Sequence, residues 1–444
     1  MIKKLFYGFG GLSYSVISQT ISTFFMFYAT SVLGLSGTLV GIAIAVSTIW
    51  DGVSDTIVGY LSDNYPMRKF GKRNGYMFIA CIGMSAFNIA LWCIPNQINA
   101  VIKFIWILVS LLFLETFNTM FATPFSALGN ELAENNDDRT KINAYSTIFY
   151  LIGIIVPSIL MVVFLPNTSE YPIGQLNPSG YVKIAIVSSL ICLFFGLTCS
   201  FFTIKHSNRG FKQREKFSIK LLINNFLISF KEKELRRIIL GYVCTCVATV
   251  FLCSVGLHFF TYSFFYSSPQ ITSLLLTLIM GTILSQPLWV IVAKKINKKP
   301  ALIIGILITI FAVFGVITIY LFRIDLYKIS FILMLLSVFL CGVGSGAIYS
   351  LPNSIYGDLI AKKNSTGKDL TATYSGTITF ASNIANSIAQ LLVGVLLDVI
   401  KFDSTLQVQT LGVQTGLAMI LFVGVQTSLI LGCFVFSRHK DISK

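Results

Sequence analysis

Apolar residues in this chain run in stretches of about twenty, broken by short polar segments. About 20 apolar residues span a bilayer as an α-helix, and the pattern predicts twelve such helices. They fall at about 5–33, 38–62, 75–95, 101–128, 143–165, 181–204, 237–265, 270–293, 300–322, 329–356, 371–400 and 412–437. The stretches 329–356 and 371–400 are the most interrupted, by Gly, Ser, Asn and Pro. The one long basic segment, His206–Arg236, divides the spans six and six. The expected domains are an N-terminal bundle over 1–205, a cytoplasmic linker over 206–236 and a C-terminal bundle over 237–444. A 6+6 plan suits two pseudo-symmetric bundles. Within the linker, Leu221–Phe230 reads either as a short amphipathic surface helix or as solvated chain.

Composition agrees with the pattern. Of 444 residues, 55% are hydrophobic and 11% charged, against about 25% charged in soluble domains. The net charge of +15 is spread over short loops, which argues against nucleic acid as a partner. Even-numbered loops and the termini hold 28 of the 33 Lys and Arg; the odd-numbered loops and their flanks hold 5. The positive-inside rule then places both termini in the cytoplasm of a multi-pass plasma-membrane protein. The Met1-Ile2-Lys3-Lys4 start leads into a retained first span, with no small-residue cleavage site. Nine scattered Cys form no disulfide framework and no metal-ligand spacing.

Candidate chemistry centres on Asp51 and Asp55, inside the second apolar run. At i and i+4 they share a helix face. An ionised carboxylate in hydrocarbon costs roughly 3 kcal/mol or more unless a counter-charge answers it. Basic residues keep to loops and span ends, so the counter-charge is expected from outside the chain, as a bound cation or proton. Hydrogen bonds to Ser, Asn or backbone are the packing alternative. Glu115, with Asn118, Thr119 and Ala122 on its helix face, either adds an acid for a proton or cationic substrate, or lies solvated near the outer surface. His258 in Gly256-Leu257-His258-Phe259-Phe260 either contacts substrate or packs through a hydrogen bond. Asn383, Asn386 and Gln390 share a face of the eleventh span, and Gln19, Asn88 and Gln286 add neutral amides; these line a polar cavity or join helices. Gly342, Gly344 and Gly346 read as close packing. Asp63, followed by Arg68 and Arg73, reads either as a cytoplasmic latch or as plain positive-inside charge.

Several motifs follow one another at a recognisable spacing: Tyr7-Gly8-Phe9-Gly10, Val32-Leu33-Gly34-Leu35-Ser36, Ile49-Trp50-Asp51-Gly52-Val53-Ser54-Asp55, Gly59-Tyr60 and Lys69-Phe70-Gly71-Lys72-Arg73. Weaker matches continue through Thr119, Pro124-Phe125, Phe260-Thr261-Tyr262, Gly344–Asp358 and Tyr374–Phe380. The chain resembles the melibiose-carrier-like glycoside-pentoside-hexuronide:cation symporters of the major facilitator superfamily. The resemblance implies an all-α fold of twelve transmembrane helices in two six-helix bundles. It implies Na⁺, Li⁺ or H⁺ coupling at Asp51 and Asp55, with Ser54 where an Asn often stands and with Thr119 nearby. It implies a small-molecule substrate, a sugar or glycoside by default, moved by alternating access, with Tyr349 as the aromatic of the tenth span.

The sequence departs from that family at the sugar site. Tyr14 and Ser15 stand for a Lys-Asp pair, Ala122 for an Asp, Ser126 for a Trp, Ser146 for an Arg and Ser382 for a Lys. Those charged groups hold sugar hydroxyls through charge-assisted hydrogen bonds. Their loss points toward a peptide, a modified metabolite or a lysolipid-like amphiphile, and leaves export open beside uptake. No cofactor is expected beyond the coupling ion, no metal beyond Na⁺, and a monomer in the bilayer is the expected working unit. A membrane-embedded transferase is the competing class; the sequence has no HExxH and no GxSxG with a candidate His.

Overall fold

The computed structural model describes residues 2–65, 67, 70, 73–133, 136–204, 232–364 and 371–438. Arg68, the Leu221–Phe230 stretch and most of the expected linker lie outside the described residues, as does the side chain of Asp63. The described chain is helical apart from its connections. The helices are α1 (Ile2–Phe27), α2 (Gly37–Asn64), α3 (Asn74–Trp92), α4 (Ala100–Leu132), α5 (Asn136–Phe164) and α6 (Pro178–Phe202). They continue as α7 (Lys233–Ser263), α8 (Ser268–Leu284), α9 (Gln286–Ile296), α10 (Lys298–Leu321), α11 (Ser330–Asn364), α12 (Thr371–Val399) and α13 (Leu411–Ser437). Eleven described spans are long and apolar enough to cross a bilayer. In the remaining position α1 runs on into a π-helical turn, Tyr28–Val32. Helix α7 begins at Lys233, inside the range read as linker.

Local chemistry sets the helix ends. Ser36 Oγ accepts the Leu39 amide at the start of α2, Asn99 Oδ1 accepts the Ile102 amide at the start of α4, and Thr410 caps α13. These caps satisfy amides that a helix start leaves orphaned. The eighth span breaks at Ser285 into α8 and α9. Pro287 has no amide for the Ile283 carbonyl four residues back, and beside it Ser285 Oγ donates to the Thr282 carbonyl.

The chain divides into two compact units. One comprises Met1–Phe217 with Asp403–Leu406, the other Ser218–Phe402 with Gln407–Lys444. In the first, α1 packs on α5 and α6, α2 on α4, and α3 on α4 and α6. In the second, α7 packs on α12 and α13, α8 on α11, and α10 on α11 and α13. Counted by span, the second set of pairings is the first moved on by six. The two halves therefore share one internal plan.

Small and neutral polar residues make these pairings. β-Carbons at Gly342, Gly344 and Gly346 would collide with the Leu278 carbonyl, Thr309 Oγ1 and Ser285 Oγ. The glycines of α11 thus serve close packing. Asn88 Nδ2 donates to Ser189 Oγ at 2.9 Å, Ser188 Oγ at 3.1 Å and the Ala185 carbonyl at 3.1 Å, tying α3 to α6. Gln286 Nε2 donates to the Gly346 carbonyl. Both amides act as interhelical glue, the second of the two roles read for them. All nine cysteines are free.

Ion pairs occupy corresponding ends of the two units. Arg73, just before α3, meets Glu131 near the end of α4 at 2.7 Å. Lys298, opening α10, meets Asp358 near the end of α11 at 2.5 Å. Lys4 also pairs with Asp138, joining α1 to α5. Lys103 lies in the first turn of α4, where it is buried and donates to the Leu33 carbonyl at 2.7 Å.

Candidate cation site on the second and fourth helices

Helix α2 places Asp51 and Asp55 one turn apart, and α4 answers with hydroxyls at the same interval. Thr119 Oγ1 donates to Asp51 Oδ1 at 2.9 Å, and Thr123 Oγ1 donates to Asp55 Oδ1 at 3.2 Å. Both links join residues 68 apart. The two helices therefore run parallel and in register, so an i, i+4 pair of acids meets an i, i+4 pair of threonines. Ser54 Oγ lies 3.0 Å from Thr119 Oγ1 and donates to the Asp51 carbonyl at 3.0 Å. Trp50 Nε1 donates to Thr116 Oγ1 at 2.8 Å, one turn further along the same seam. Ser54 and Thr119 are buried, while Asp51 and Asp55 are half-buried.

The result is a set of oxygens with two carboxylates at its centre. Hard cations take oxygen ligands, so this set has the right donor chemistry for a small monovalent cation. Among the described residues no three His, Cys, Asp or Glu side chains converge as a metal cluster. A cation here would be held by carboxylates and hydroxyls together.

A third acid, Glu115, sits one turn before Thr119 on α4 and is half-buried. Its hydrogen bond from Asn118 Nδ2 is long, 3.5 Å. Its i, i+4 spacing from Thr119 puts it beside the seam along α4.

The remaining candidates separate. Tyr14, half-buried on α1, lies 6.2 Å from Phe121, 6.0 Å from Phe125 and 5.5 Å from Tyr150 between ring centroids. Ser15 is buried and donates to its own helix at the Leu12 carbonyl. Ser126 is exposed and Ser146 half-buried. In the second unit His258 is fully buried, with Nδ1 3.2 Å from the Ser254 carbonyl and its ring edge-on to Phe402 at 5.5 Å. Ser382 donates to the Thr379 carbonyl. Asn383 accepts through its carbonyl from Ser387, and Gln390 Oε1 accepts from Ser254 Oγ. Asn386 Oδ1 is buried with no hydrogen-bond partner among the described residues. Tyr349 is 55% exposed on α11. Of the latch residues, Arg73 is buried and pairs with Glu131 of α4, one of its contacts.

Thr123, Thr116 and Tyr150 escaped the sequence reading. For Thr123 a signal existed: Thr119 and Thr123 repeat the i, i+4 spacing of Asp51 and Asp55.

Two six-span units with one plan, and an acid-lined seam inside the first, define a membrane transporter of the major facilitator type. The chain belongs to the MFS/sugar transport protein family, whose model matches residues 6–441. It is 20% identical to a sodium-dependent lysophosphatidylcholine symporter of Danio rerio, over 98% of this chain and 85% of that one. It is 22% identical to the isoprimeverose transporter of Lactiplantibacillus pentosus, over 69% of this chain and 62% of that one. An uncharacterized symporter of Synechocystis is 28% identical over 44% of this chain, a match spanning 36% of that relative's length. Among solved structures, a mutant of the nucleoside transporter NupG superposes with a TM-score of 0.70 at 15% identity, covering 99% of this chain and 100% of that one. A D-xylose-proton symporter gives 0.67 at 13% identity, covering 96% of each chain. These two likenesses concern the fold.

Proposed function

We propose that this chain is a cation-coupled secondary transporter in which Asp51 and Asp55 bind the coupling Na⁺ or H⁺. Thr119, Thr123 and Ser54 orient the carboxylates and supply neutral oxygens. A small solute moves with the ion by alternating access. The protein works as a monomer in the cell membrane, needs no cofactor beyond the ion, and keeps both termini in the cytoplasm, as 28 of 33 basic residues suggest. The observation that carries the reading is the in-register ladder of two acids and two threonines between parallel helices.

A sugar or glycoside is the solute that membership of a sugar-transport family favours. A lysolipid-like amphiphile is the second reading. Similarity to a sodium-dependent lysophosphatidylcholine symporter over 98% of the chain supports it. So does the exposed apolar face of α2 beside the acids, formed by Val46, Ile49, Trp50 and Val53.

The test is thermal unfolding of the purified protein in detergent, titrated with NaCl or LiCl against CsCl at constant ionic strength. A ligand that binds the folded state raises its stability. The wild type is expected to be stabilised by the small cation, and D51N and D55N are each expected to lose that response. An equal response in all three proteins would remove the coupling role of the two acids. Solutes are then screened on the same readout, with glycosides set against lysolipids.

A further inference from the structure

Helix α4 carries an open strip that the cation seam does not use. Thr119 and Thr123 face α2 through their hydrogen bonds. Phe121 and Phe125, roughly 200–240° further round the helix, face α1, where Phe125 stacks on Tyr7 at 4.4 Å. Between these sectors lie Glu115, Asn118, Ala122 and Ser126. None of the four is fully buried, and Ser126 is exposed. The small Ala122 and Ser126 leave the middle of the strip free of bulk.

The two ends of the strip differ in chemistry. At one end stands Glu115, held only by the 3.5 Å contact from Asn118, whose own Oδ1 is buried with no partner among the described residues. At the other end Tyr14 and Tyr150 meet with centroids 5.5 Å apart and rings inclined at 46°. Neither phenol oxygen makes a hydrogen bond among the described residues, and neither is sealed in the interior. About eight residues of helix, or roughly 12 Å, separate the ends.

Charge decides what suits the Glu115 end. A single monovalent ion at Asp51 and Asp55 offsets one of those two charges and none at Glu115. Three basic side chains of this unit have partners of their own: Lys4 with Asp138, Arg73 with Glu131 and Lys103 with the Leu33 carbonyl. A neutral sugar would cancel none of that charge. An ammonium group would. At the far end, two tilted aromatic faces with open hydroxyls suit a flat ring.

We propose that this strip binds an elongated organic amine, with its ammonium on Glu115 and Asn118 and its ring against the Tyr14–Tyr150 pair. The proposal rests on the reading of Asp51 and Asp55 as the inorganic cation site, because that leaves Glu115 for the solute.

The experiment uses the full chain in detergent and three probes at equal concentration: 4-phenylbutylamine, the uncharged 4-phenylbutan-1-ol and the ringless butylamine. Thermal unfolding is expected to show the amine with a ring binding at least tenfold more tightly than either control. In E115Q the amine is expected to fall to the level of the alcohol. In Tyr14→Leu it falls to the level of butylamine, whereas Tyr14→Phe keeps most of the ring preference. Where a variant is not monodisperse, Glu115→Ala and Tyr150→Leu replace it with the same expectations. Equal binding of amine and alcohol by the wild type would overturn the proposal, as would an amine preference that survives E115Q. A wild type that responds to the amine but not to Na⁺ or Li⁺ would instead strike the coupling reading alone.

Discussion

Thr119→Val is the sharpest probe of the seam, because valine keeps the shape of threonine and removes only the hydroxyl. Thr119 is buried and its oxygen serves two neighbours, donating to Asp51 at 2.9 Å and lying 3.0 Å from Ser54 Oγ. A hydrogen bond to a charged group contributes about 1.5–3 kcal/mol, so the variant should bind the coupling cation roughly 10- to 150-fold more weakly. At a cation concentration of about 100 Kd, binding stabilises the fold by about 2.7 kcal/mol. A tenfold loss of affinity lowers that to about 1.4 kcal/mol by the same relation. The assay is the cation-dependent part of the unfolding free energy in detergent, measured as a titration so that affinity and intrinsic stability separate. Thr119→Ser keeps the oxygen and is expected to stay within about threefold of the wild type. If Thr119→Val binds Na⁺ or Li⁺ as the wild type does, the hydroxyl is no part of the site and the ladder is packing alone.

Two further expectations concern helix packing, one in each unit. Arg73→Ala leaves the half-buried Glu131 without its partner and should cost about 3 kcal/mol of stability, read as a lower unfolding temperature; reversing both charges together should recover part of it, and a neutral outcome for Arg73→Ala would mean the pair is solvated. Gly344→Val forces a side chain against Thr309 Oγ1 and should cost about 1–3 kcal/mol through overpacking, seen as loss of a monodisperse peak, while Gly357→Val, where a β-carbon meets nothing, serves as the matched control on the same helix.

The two acids could be found in the chain because a carboxylate inside twenty apolar residues is conspicuous in one dimension. Their partners could not. Thr119 and Thr123 are ordinary residues for a membrane helix, and only the parallel register of α2 on α4 sets them opposite Asp51 and Asp55. Glu115 shows the same limit: its place on a helix face was legible, but that this face runs beside the seam depends on α2 packing against α4. His258 was ambiguous for the converse reason. Its aromatic neighbours in sequence suggested either role, and only the fold sets its buried ring against Phe402, from a segment 144 residues further on.

By itself, the sequence determined the membrane class, the twelve spans, the division into two sets of six and the presence of buried negative charge. Each follows from the cost of placing polar groups in hydrocarbon, which is paid residue by residue and so is written along the chain. The tertiary structure alone decided which hydroxyls meet the acids, that Arg73 turns to Glu131, that Lys103 reaches the Leu33 carbonyl, and that Tyr14 and Tyr150 meet. Those are long-range contacts between helices. Their register depends on how small residues such as Gly344 let backbones approach, and no local pattern specifies it.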